Sequence, residues 1–217
     1  MSGRHSGNAA VSATEPDWER ERPRGRWDPS RRLLRSIRRY DAARRRGGLL
    51  AGLTRRWWVL EHRFWSVVTQ ADIPLNAQIA GGMHIPHPNG IVVHPDAILG
   101  PNSLLMQQVT LGLDGSRPGA PRLGGHVDIG AGAKVLGPVT IGDNAKVGAN
   151  AVVLCDVPAG HLAVGVPARI MALRLRKSLC RCRSAIMAAS GRVSGPAPTP
   201  PTIPPASERR ERRRCRQ

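Results

Sequence analysis

One histidine and one aspartate have the residue types and the spacing that proton transfer requires. His87 lies in a Pro-His-Pro-Asn-Gly turn, and Asp72 precedes it by fifteen residues. An imidazole can accept a proton from a hydroxyl group near neutral pH, and a neighbouring carboxylate fixes its tautomer and stabilises the imidazolium. The two residues are therefore a candidate general base and its orienting carboxylate, provided that the fold brings them together.

A six-residue repeat predicts the element that positions this pair. Between Leu123 and Val157 each hexad begins with an aliphatic residue, and a small or β-branched residue precedes it by two positions. Such a period is typical of a β-solenoid, in which three hexads close one triangular coil of about 18 residues. The aliphatic positions are Ile129, Val135, Ile141, Val147 and Val153, and earlier in the chain Ile73, Ile79, Ile85 and Ile91, then Val93, Leu99, Leu105 and Leu111.

This repeat predicts stacked coils over residues 73–158, with one interruption. Residues 113–122 (LDGSRPGAPR) lack buried-type positions and are expected to form a loop outside the solenoid, which is either functional or a tolerated surface insertion. The spacing from Asp72 to His87 is close to one coil. We therefore expect the two residues on adjacent layers, about 4.8 Å apart.

The charge of the chain is concentrated outside the solenoid. The chain carries a formal net charge of +18, but residues 71–172 hold five Lys or Arg against six Asp or Glu. Basic arms can attract anionic partners in general, yet no nucleic-acid recognition motif accompanies them. We expect no specific nucleic-acid partner.

Four segments are predicted: a disordered N-terminal arm (1–27), a short helical segment (28–70), the solenoid domain (71–172) and a disordered Arg- and Pro-rich tail (173–217). The second helix of the helical segment carries an apolar stripe, which is expected to pack against the end of the solenoid or a partner subunit. A membrane-surface helix is the alternative. No stretch has the length and apolarity of a membrane span or a secretory signal. The stripe consists of Leu53, Trp57, Leu60, Phe64 and Val67.

The cysteines indicate a reduced protein. Cys155 lies in the solenoid, whereas Cys180, Cys182 and Cys215 lie in the tail, and their spacing is neither that of a disulfide framework nor that of a zinc site. A cytoplasmic location is therefore expected.

Five blocks of sequence resemble, in order and spacing, the hexapeptide-repeat acetyltransferases of the serine O-acetyltransferase type. The resemblance covers residues 72–171. It implies a mainly β fold, a left-handed parallel β-helix, assembled as a homotrimer or a dimer of trimers, with acetyl-CoA in the groove between neighbouring helices. The blocks are Asp72-Ile73-Pro74, His87 to Val93 (HPNGIVV), Gln107 to Gly112 (QQVTLG), Ile129 to Gly137 (IGAGAKVLG) and Gly165 to Arg169 (GVPAR).

The resemblance also implies roles for particular residues. Asp72 and His87 occupy the positions of the family's catalytic dyad, and the reaction would be acetyl transfer to L-serine, a step of cysteine biosynthesis. The alanines in the groove leave room for the pantetheine arm, and the basic residues could reach the phosphates or the adenine of CoA. No metal is implied. The expected CoA-binding residues are Gly112, Ala131, Lys146, Ala149 and Arg169, although Ala and Gly also simply suit tight coils.

The chain departs from the serine-specific pattern at two places. Pro86 stands where those enzymes carry Asp, and Gly119-Ala120-Pro121 replaces an Arg-His-Pro segment that holds the amino acid. Arg117 and Arg122 lie nearby and are possible substitutes. A saccharide or another small-molecule hydroxyl is therefore the rival acceptor.

Two other classes of protein share parts of this pattern. A γ-type carbonic anhydrase also has the solenoid and binds zinc through three histidines, but the spacing of the histidines here does not resemble its ligand pattern. A catalytically silent trimeric scaffold with basic arms is the second. The available histidines are His84, His87, His94 and His126.

Overall fold

The computed structural model describes residues 11–46 and 48–173, except for the side chain of Leu49. A 3-10 helix (Trp18–Glu21) precedes two α-helices, α1 (Pro29–Arg46) and α2 (Leu49–Thr69), which pack against each other. Pro29 suits the first helical position because its missing N–H would be unpaired there in any case. The tail over 174–217, with its three cysteines, and the first ten residues of the predicted arm lie outside the described residues.

Thirteen short strands follow the helices in the described chain and form three sheets. Sheet 1 has the order β1-β3-β6-β9, sheet 2 the order β13-β12-β10-β7-β4, and sheet 3 the order β11-β8-β5-β2. Every pairing is parallel except that of β12 with β13. The strands are β1 (Gln78–Ile79), β2 (Val92–Val93), β3 (Ile98–Leu99), β4 (Leu104–Leu105), β5 (Thr110–Gly112), β6 (Arg122–Leu123), β7 (Asp128–Ile129), β8 (Lys134–Leu136), β9 (Thr140–Ile141), β10 (Lys146–Val147), β11 (Val152–Val153), β12 (His161–Val164) and β13 (Arg169–Ala172).

From β3 to β11, consecutive strands visit sheets 1, 2 and 3 in turn, so the chain forms a three-sided parallel solenoid. The mainly β, parallel, hexapeptide-repeat fold predicted from the sequence is confirmed. Successive residues of a strand face opposite sides of a sheet. The aliphatic residue that begins each hexad faces the interior of the solenoid. All thirteen aliphatic residues named in the sequence pattern are buried, and Leu105, Leu111, Ile129, Val135, Ile141 and Val153 have no exposed surface.

Residues 11–27 differ from the prediction of a disordered arm. The side chain of Asn102, at a solenoid corner, donates to the carbonyl oxygens of Ser12 and Glu15, each at 2.7 Å, and accepts from the amide of Asp17 at 2.8 Å. Asn102 is fully buried. A buried side-chain amide needs hydrogen-bond partners. The backbone of residues 12–17 supplies them, so this polar segment is held against the solenoid although it has no apolar pattern from which packing could be predicted.

The buried side of α2 is also not the predicted one. The apolar stripe of α2 is exposed in the described chain, with Trp57 64% and Val67 78% exposed, so it does not pack against the end of its own solenoid, and packing against a partner subunit stays a prediction. His62, Trp65 and Thr69 are buried instead. These three residues are also three and four positions apart, as one face of a helix requires. Trp65 packs edge-to-face against Trp27, with ring centroids 5.6 Å apart. Neither described helix is long and apolar enough to cross a bilayer.

Candidate active site

One corner of the solenoid carries three of the predicted site residues, His87, Ala131 and Ala149. Turns 86–90, 106–109, 130–133 and 148–151 connect sheet 2 to sheet 3 in successive coils, and we call them together the His87 edge. Backbone hydrogen bonds join each turn to the next. They run from Gln108 N to Asn89 O (2.8 Å), from Gly132 N to Gln107 O (2.9 Å) and from Asn150 N to Ala131 O (2.8 Å).

The backbone of this edge explains its residue types. Each turn contains one residue in the left-handed region: Gly90 (φ 68°), Gln108 (φ 59°), Gly132 (φ 73°) and Asn150 (φ 55°). Glycine and asparagine adopt this conformation most easily. At Gly132 a side chain is also excluded by space, because a Cβ there would lie 2.1 Å from Oδ1 of Asn150.

His87 opens into a cleft of about 550 Å³ between this edge and the helices. Its ring is exposed, and neighbouring backbone holds the turn: Gly90 N donates to Gln70 O at 2.8 Å, and Ile91 N donates to Pro88 O at 3.3 Å. An exposed imidazole in a cleft can meet both an acceptor hydroxyl and a second substrate. The cleft is lined by Trp27, Asp28, Pro29, Ser30, Val68, Thr69, Gln70, Pro86, His87, Pro88 and Asn89.

Sequence reasoning missed the polar residues of this cleft. Gln70 follows the last residue of α2 and has the left-handed conformation. Its side-chain oxygen accepts a hydrogen bond from the side-chain amide (Nδ2) of Asn89. Asp28 accepts from Arg24 N at 3.1 Å and from Nη1 of Arg31 at 3.0 Å. Burial alone would raise the pKa of Asp28, but these hydrogen bonds outweigh it and lower that pKa. The only signal in the sequence was the predicted helical segment 28–70, which places Gln70 at the end of α2.

Asp72 forms an isolated parallel bridge with Val92 of β2, the neighbouring coil on sheet 3. Its amide donates to Ile91 O at 2.8 Å, and Val93 N donates to its carbonyl at 2.9 Å. The side chains of Asp72 and His87 are both exposed. In the described chain no hydrogen bond joins them, so the dyad stays a prediction.

A second histidine, His62, connects α2 to the strand segment that contains Asp72. It is buried, and its Nε2 lies 2.9 Å from Ile73 O. A neutral ring protonated at Nε2 would donate a hydrogen bond to this carbonyl. Burial lowers the pKa of His62, and the hydrogen bond to Ile73 and the charge of Asp72 only partly oppose this. At neutral pH the imidazole of His62 is therefore mainly uncharged in the folded protein.

We expect His62 to make the protein less stable in mild acid. Its folded pKa lies below the unfolded value of 6.5, so the unfolded chain binds the proton first and stability falls as pH drops below about 6.5. Urea unfolding at roughly pH 7.5 and 5.5 measures the loss. His62→Gln retains a donor for Ile73 O and should lose less stability over this interval. An equal loss in both proteins would show that other groups cause the effect.

The predicted CoA residues fall into two groups. Ala131 and Ala149 lie one coil apart on the His87 edge, and the Gly165–Ala168 turn continues that edge, since Ala168 N donates to Val152 O at 2.8 Å. Arg169 follows directly on β13 and is exposed. These residues form one continuous wall with His87.

The other two lie away from that wall. Lys146 is on sheet 2, where its Nζ pairs with Asp128 Oδ2 at 2.7 Å, so its charge is already partnered. Gly112 is on sheet 3 beside Leu136, at the end of β5 that leads into the excursion loop. The structure does not bring either of them together with Ala131 and Ala149.

The predicted excursion is a loop with its own hydrogen bonds. Asp114 accepts from the amide of Arg117 at 2.7 Å and from its Nε at 2.7 Å, and Nη2 of Arg117 donates to Leu154 O at 3.1 Å. The amide and the guanidinium of Arg117 hold the pKa of Asp114 well below its usual range. Arg117 is thus engaged within its own chain, whereas Arg122 makes no ion pair among the described residues.

The solenoid histidines are distributed over different sides. His84 lies on sheet 2, His94 lies 3.8 Å from Asp96, and His126 bonds Asn144 at 2.9 Å on another corner. Burial, followed by the charge of Arg20, lowers the pKa of His84. Among residues 11–46 and 48–173, no three His, Cys, Asp or Glu side chains are grouped as a metal site would require.

A family model matches the later coils of the solenoid. It is the bacterial transferase hexapeptide family (six repeats), and it matches residues 120–155. The hexapeptide repeat predicted from the sequence is thereby confirmed.

Known proteins match a longer part of the chain than the family model does. A serine acetyltransferase of Synechococcus elongatus is 42% identical over 107 residues, which are 48% of this chain and 44% of that protein. The soybean serine acetyltransferase apoenzyme is 36% identical with a TM-score of 0.57, over 66% of this chain and 57% of that one. A serine acetyltransferase in complex with CoA is 33% identical with a TM-score of 0.55, over 67% and 57%.

The resemblance to serine acetyltransferases is therefore confirmed. The chain spans about half the length of the curated relatives it matches, from 40% to 61%.

Proposed function

We propose that this protein transfers the acetyl group of acetyl-CoA to a hydroxyl group, and that its acceptor is L-serine, giving O-acetyl-L-serine and CoA. The observation that carries the proposal is the His87 edge, where an exposed imidazole and a row of small residues lie on one wall. The similarity to serine acetyltransferases, one of them solved with CoA, supports the choice of both substrates.

The edge suits a long, extended co-substrate. With a layer spacing of about 4.8 Å, Ala131 lies two coils and Ala149 three coils from the His87 turn, or about 10 and 14 Å. Small side chains leave the backbone accessible to an amide-containing arm such as pantetheine. In this arrangement the thioester is held near His87, while Arg169 at the far end meets a phosphate.

The reaction needs no covalent enzyme intermediate. His87 takes the proton of the serine hydroxyl as its oxygen attacks the thioester carbonyl carbon, which gives a tetrahedral intermediate. That intermediate collapses with loss of the CoA thiolate, and the imidazolium returns the proton to the sulfur. Asp72 holds the ring tautomer and stabilises the imidazolium. Positioning of the two substrates supplies much of the remaining acceleration.

We further propose that the solenoid is left-handed and that the active form is a trimer or a dimer of trimers in the cytoplasm. The resemblance to hexapeptide transferases supports this proposal, as does the exposure of the His87 edge. A single chain offers one wall of a groove, and a neighbouring subunit would supply the other.

A saccharide or another hydroxyl compound without a carboxylate is the second candidate acceptor. One observation favours it: among the described residues, no Lys or Arg lines the cleft at His87, and its polar groups are Asp28, Ser30, Thr69, Gln70 and Asn89. Arg117, one possible replacement for the missing cation, already pairs with Asp114. A neighbouring subunit would have to supply a cation for the serine carboxylate.

An acceptor panel separates these proposals. Release of the CoA thiol from acetyl-CoA is measured with L-serine, L-homoserine, several sugars and no acceptor. We expect L-serine to give the highest kcat/KM and the reaction without acceptor to stay near the background of hydrolysis. A higher kcat/KM with a sugar would replace serine as the acceptor, and no release with any compound would refute acetyl transfer.

A further inference from the structure

One exposed face of α2 is apolar from Leu50 to Val67. Its exposed large side chains are 54% to 80% accessible and recur every three or four residues, so they form one continuous face. Single exposed apolar residues are common on proteins, but a contiguous face indicates a contact surface. The face consists of Leu50, Leu53, Trp57, Leu60, Phe64 and Val67.

Arginines border this face on both sides. Arg56 and Arg63 follow Leu53 and Leu60 by three residues on α2, so they lie next to the face. On the other side, Arg32 and Arg35 of α1 line a groove of about 520 Å³ with Trp57, Leu60 and Phe64. A second groove of about 390 Å³ places Arg39 and Arg46 beside Leu50.

Most of this charge has no partner in the described chain. Helices α1 and α2 contain eleven arginines against two acidic residues, a net charge of +9. Ion pairs join Arg31, Arg35, Arg38 and Arg44 to carboxylates. The exposed arginines without an ion pair among the described residues are Arg39, Arg45, Arg46, Arg55, Arg56 and Arg63.

This charge decides between the possible occupants. A second copy of the face would bring a like charge of +9 against it, and the Arg-rich tail of the same chain would also add positive charge. Nucleic acid would satisfy the arginines but leave six apolar side chains exposed. An anionic lipid surface satisfies both, since apolar side chains enter the headgroup and acyl boundary while arginines reach phosphates.

We propose that α2 is an interfacial helix that docks the protein on anionic membranes, with its apolar face in the lipid boundary and the flanking arginines on headgroup phosphates. Trp57 and Phe64 are residue types that favour this boundary. The helix lies in the plane of the surface and does not span the bilayer. This inference is independent of the acetyl-transfer proposal.

Vesicle sedimentation tests the proposal with the full-length protein. Wild type is mixed with vesicles of phosphatidylcholine alone and with vesicles that contain phosphatidylglycerol. We expect binding to the anionic vesicles only, at least tenfold weaker in Leu60→Gln/Phe64→Gln, and weakened in Arg56→Gln/Arg63→Gln. Salt should reduce the binding, because it screens surface charges.

Matched controls remove the same side chains elsewhere. Ile170→Gln/Met171→Gln takes two exposed apolar residues from β13, and Arg24→Gln/Arg26→Gln takes two exposed arginines from the N-terminal segment. Both should bind vesicles within twofold of wild type. Circular dichroism checks that each variant is folded.

Three results would overturn the proposal. The first is no binding of wild type to anionic vesicles. The second is equal binding of wild type and Leu60→Gln/Phe64→Gln. The third is a wild-type oligomer that dissociates in Leu60→Gln/Phe64→Gln without any vesicle binding, which would show that another copy of the chain covers the face.

Discussion

Replacing His87 by alanine should lower turnover with acetyl-CoA and its acceptor by a factor of about 10² to 10⁴, the usual cost of removing a general base. The side chain is exposed at a turn whose geometry depends on backbone hydrogen bonds, so the variant should fold normally. CoA affinity should stay near that of wild type. Steady-state kinetics at saturating substrates and calorimetric titration with CoA measure the two effects separately.

His161→Ala is the matched control, because that histidine begins β12 on sheet 2 and does not line the cleft at His87; its Nδ1 lies 2.9 Å from Ala159 O. It should retain most of the activity. Asp72→Asn should lower turnover less than His87→Ala, since another acceptor can hold the ring. Near-normal turnover in a well-folded His87→Ala protein would show that His87 is not the base.

Replacing Glu21 by alanine should lower the free energy of unfolding by about 2–4 kcal/mol, because it leaves a half-buried arginine without its carboxylate. Glu21 is 7% exposed. Its carboxylate accepts from Nη2 of Arg38 at 2.8 Å, from Nε of Arg38 at 3.0 Å and from the amide of Met83 at 2.9 Å. One side chain thus joins the N-terminal segment, α1 and the first coil.

The control is Glu19→Ala, two residues earlier. Glu19 pairs with Arg22 at 3.0 Å, but both side chains are about three-quarters exposed, and such pairs contribute at most about 1 kcal/mol. Urea unfolding at one protein concentration compares the three proteins. Equal stability of Glu21→Ala and Glu19→Ala would mean that residues 11–27 contribute little to the fold, as a disordered arm would.

The solenoid was predictable because its core repeats. Each coil needs one inward aliphatic residue at the same place, and this requirement is visible in the spacing of residues such as Ile129, Val135 and Ile141. The excursion at residues 113–122 was predictable for the converse reason. Its sequence contains no residue series that could continue the core.

The N-terminal segment and the helix faces were not predictable in this way. Residues 11–27 are held by polar hydrogen bonds to Asn102 and Arg38, which have no sequence period. Two stripes on α2 share the helical period. Which of them is buried depends on the contact of Trp65 with Arg32 of α1 and on that of His62 with Ile73. Such choices depend on residues far apart in the sequence.

The candidate site was predictable in part. The positions of His87, Ala131 and Ala149 follow from the coil repeat, because one corner recurs in every coil. The cleft beside His87 was not foreseen, since Trp27, Asp28 and Gln70 reach it from segments outside the repeat. The pairing of Lys146 with Asp128 depends on neighbouring coils, and residue types alone did not indicate it.

The identity of the product tests the central proposal most directly. The purified protein is incubated with L-serine and acetyl-CoA labelled with ¹³C in the acetyl group, and the amino acid is examined by mass spectrometry. We predict labelled O-acetyl-L-serine in amounts equal to the CoA released, and almost none with His87→Ala. Release of CoA without any labelled serine product, or no release by a folded protein, would contradict the proposed function.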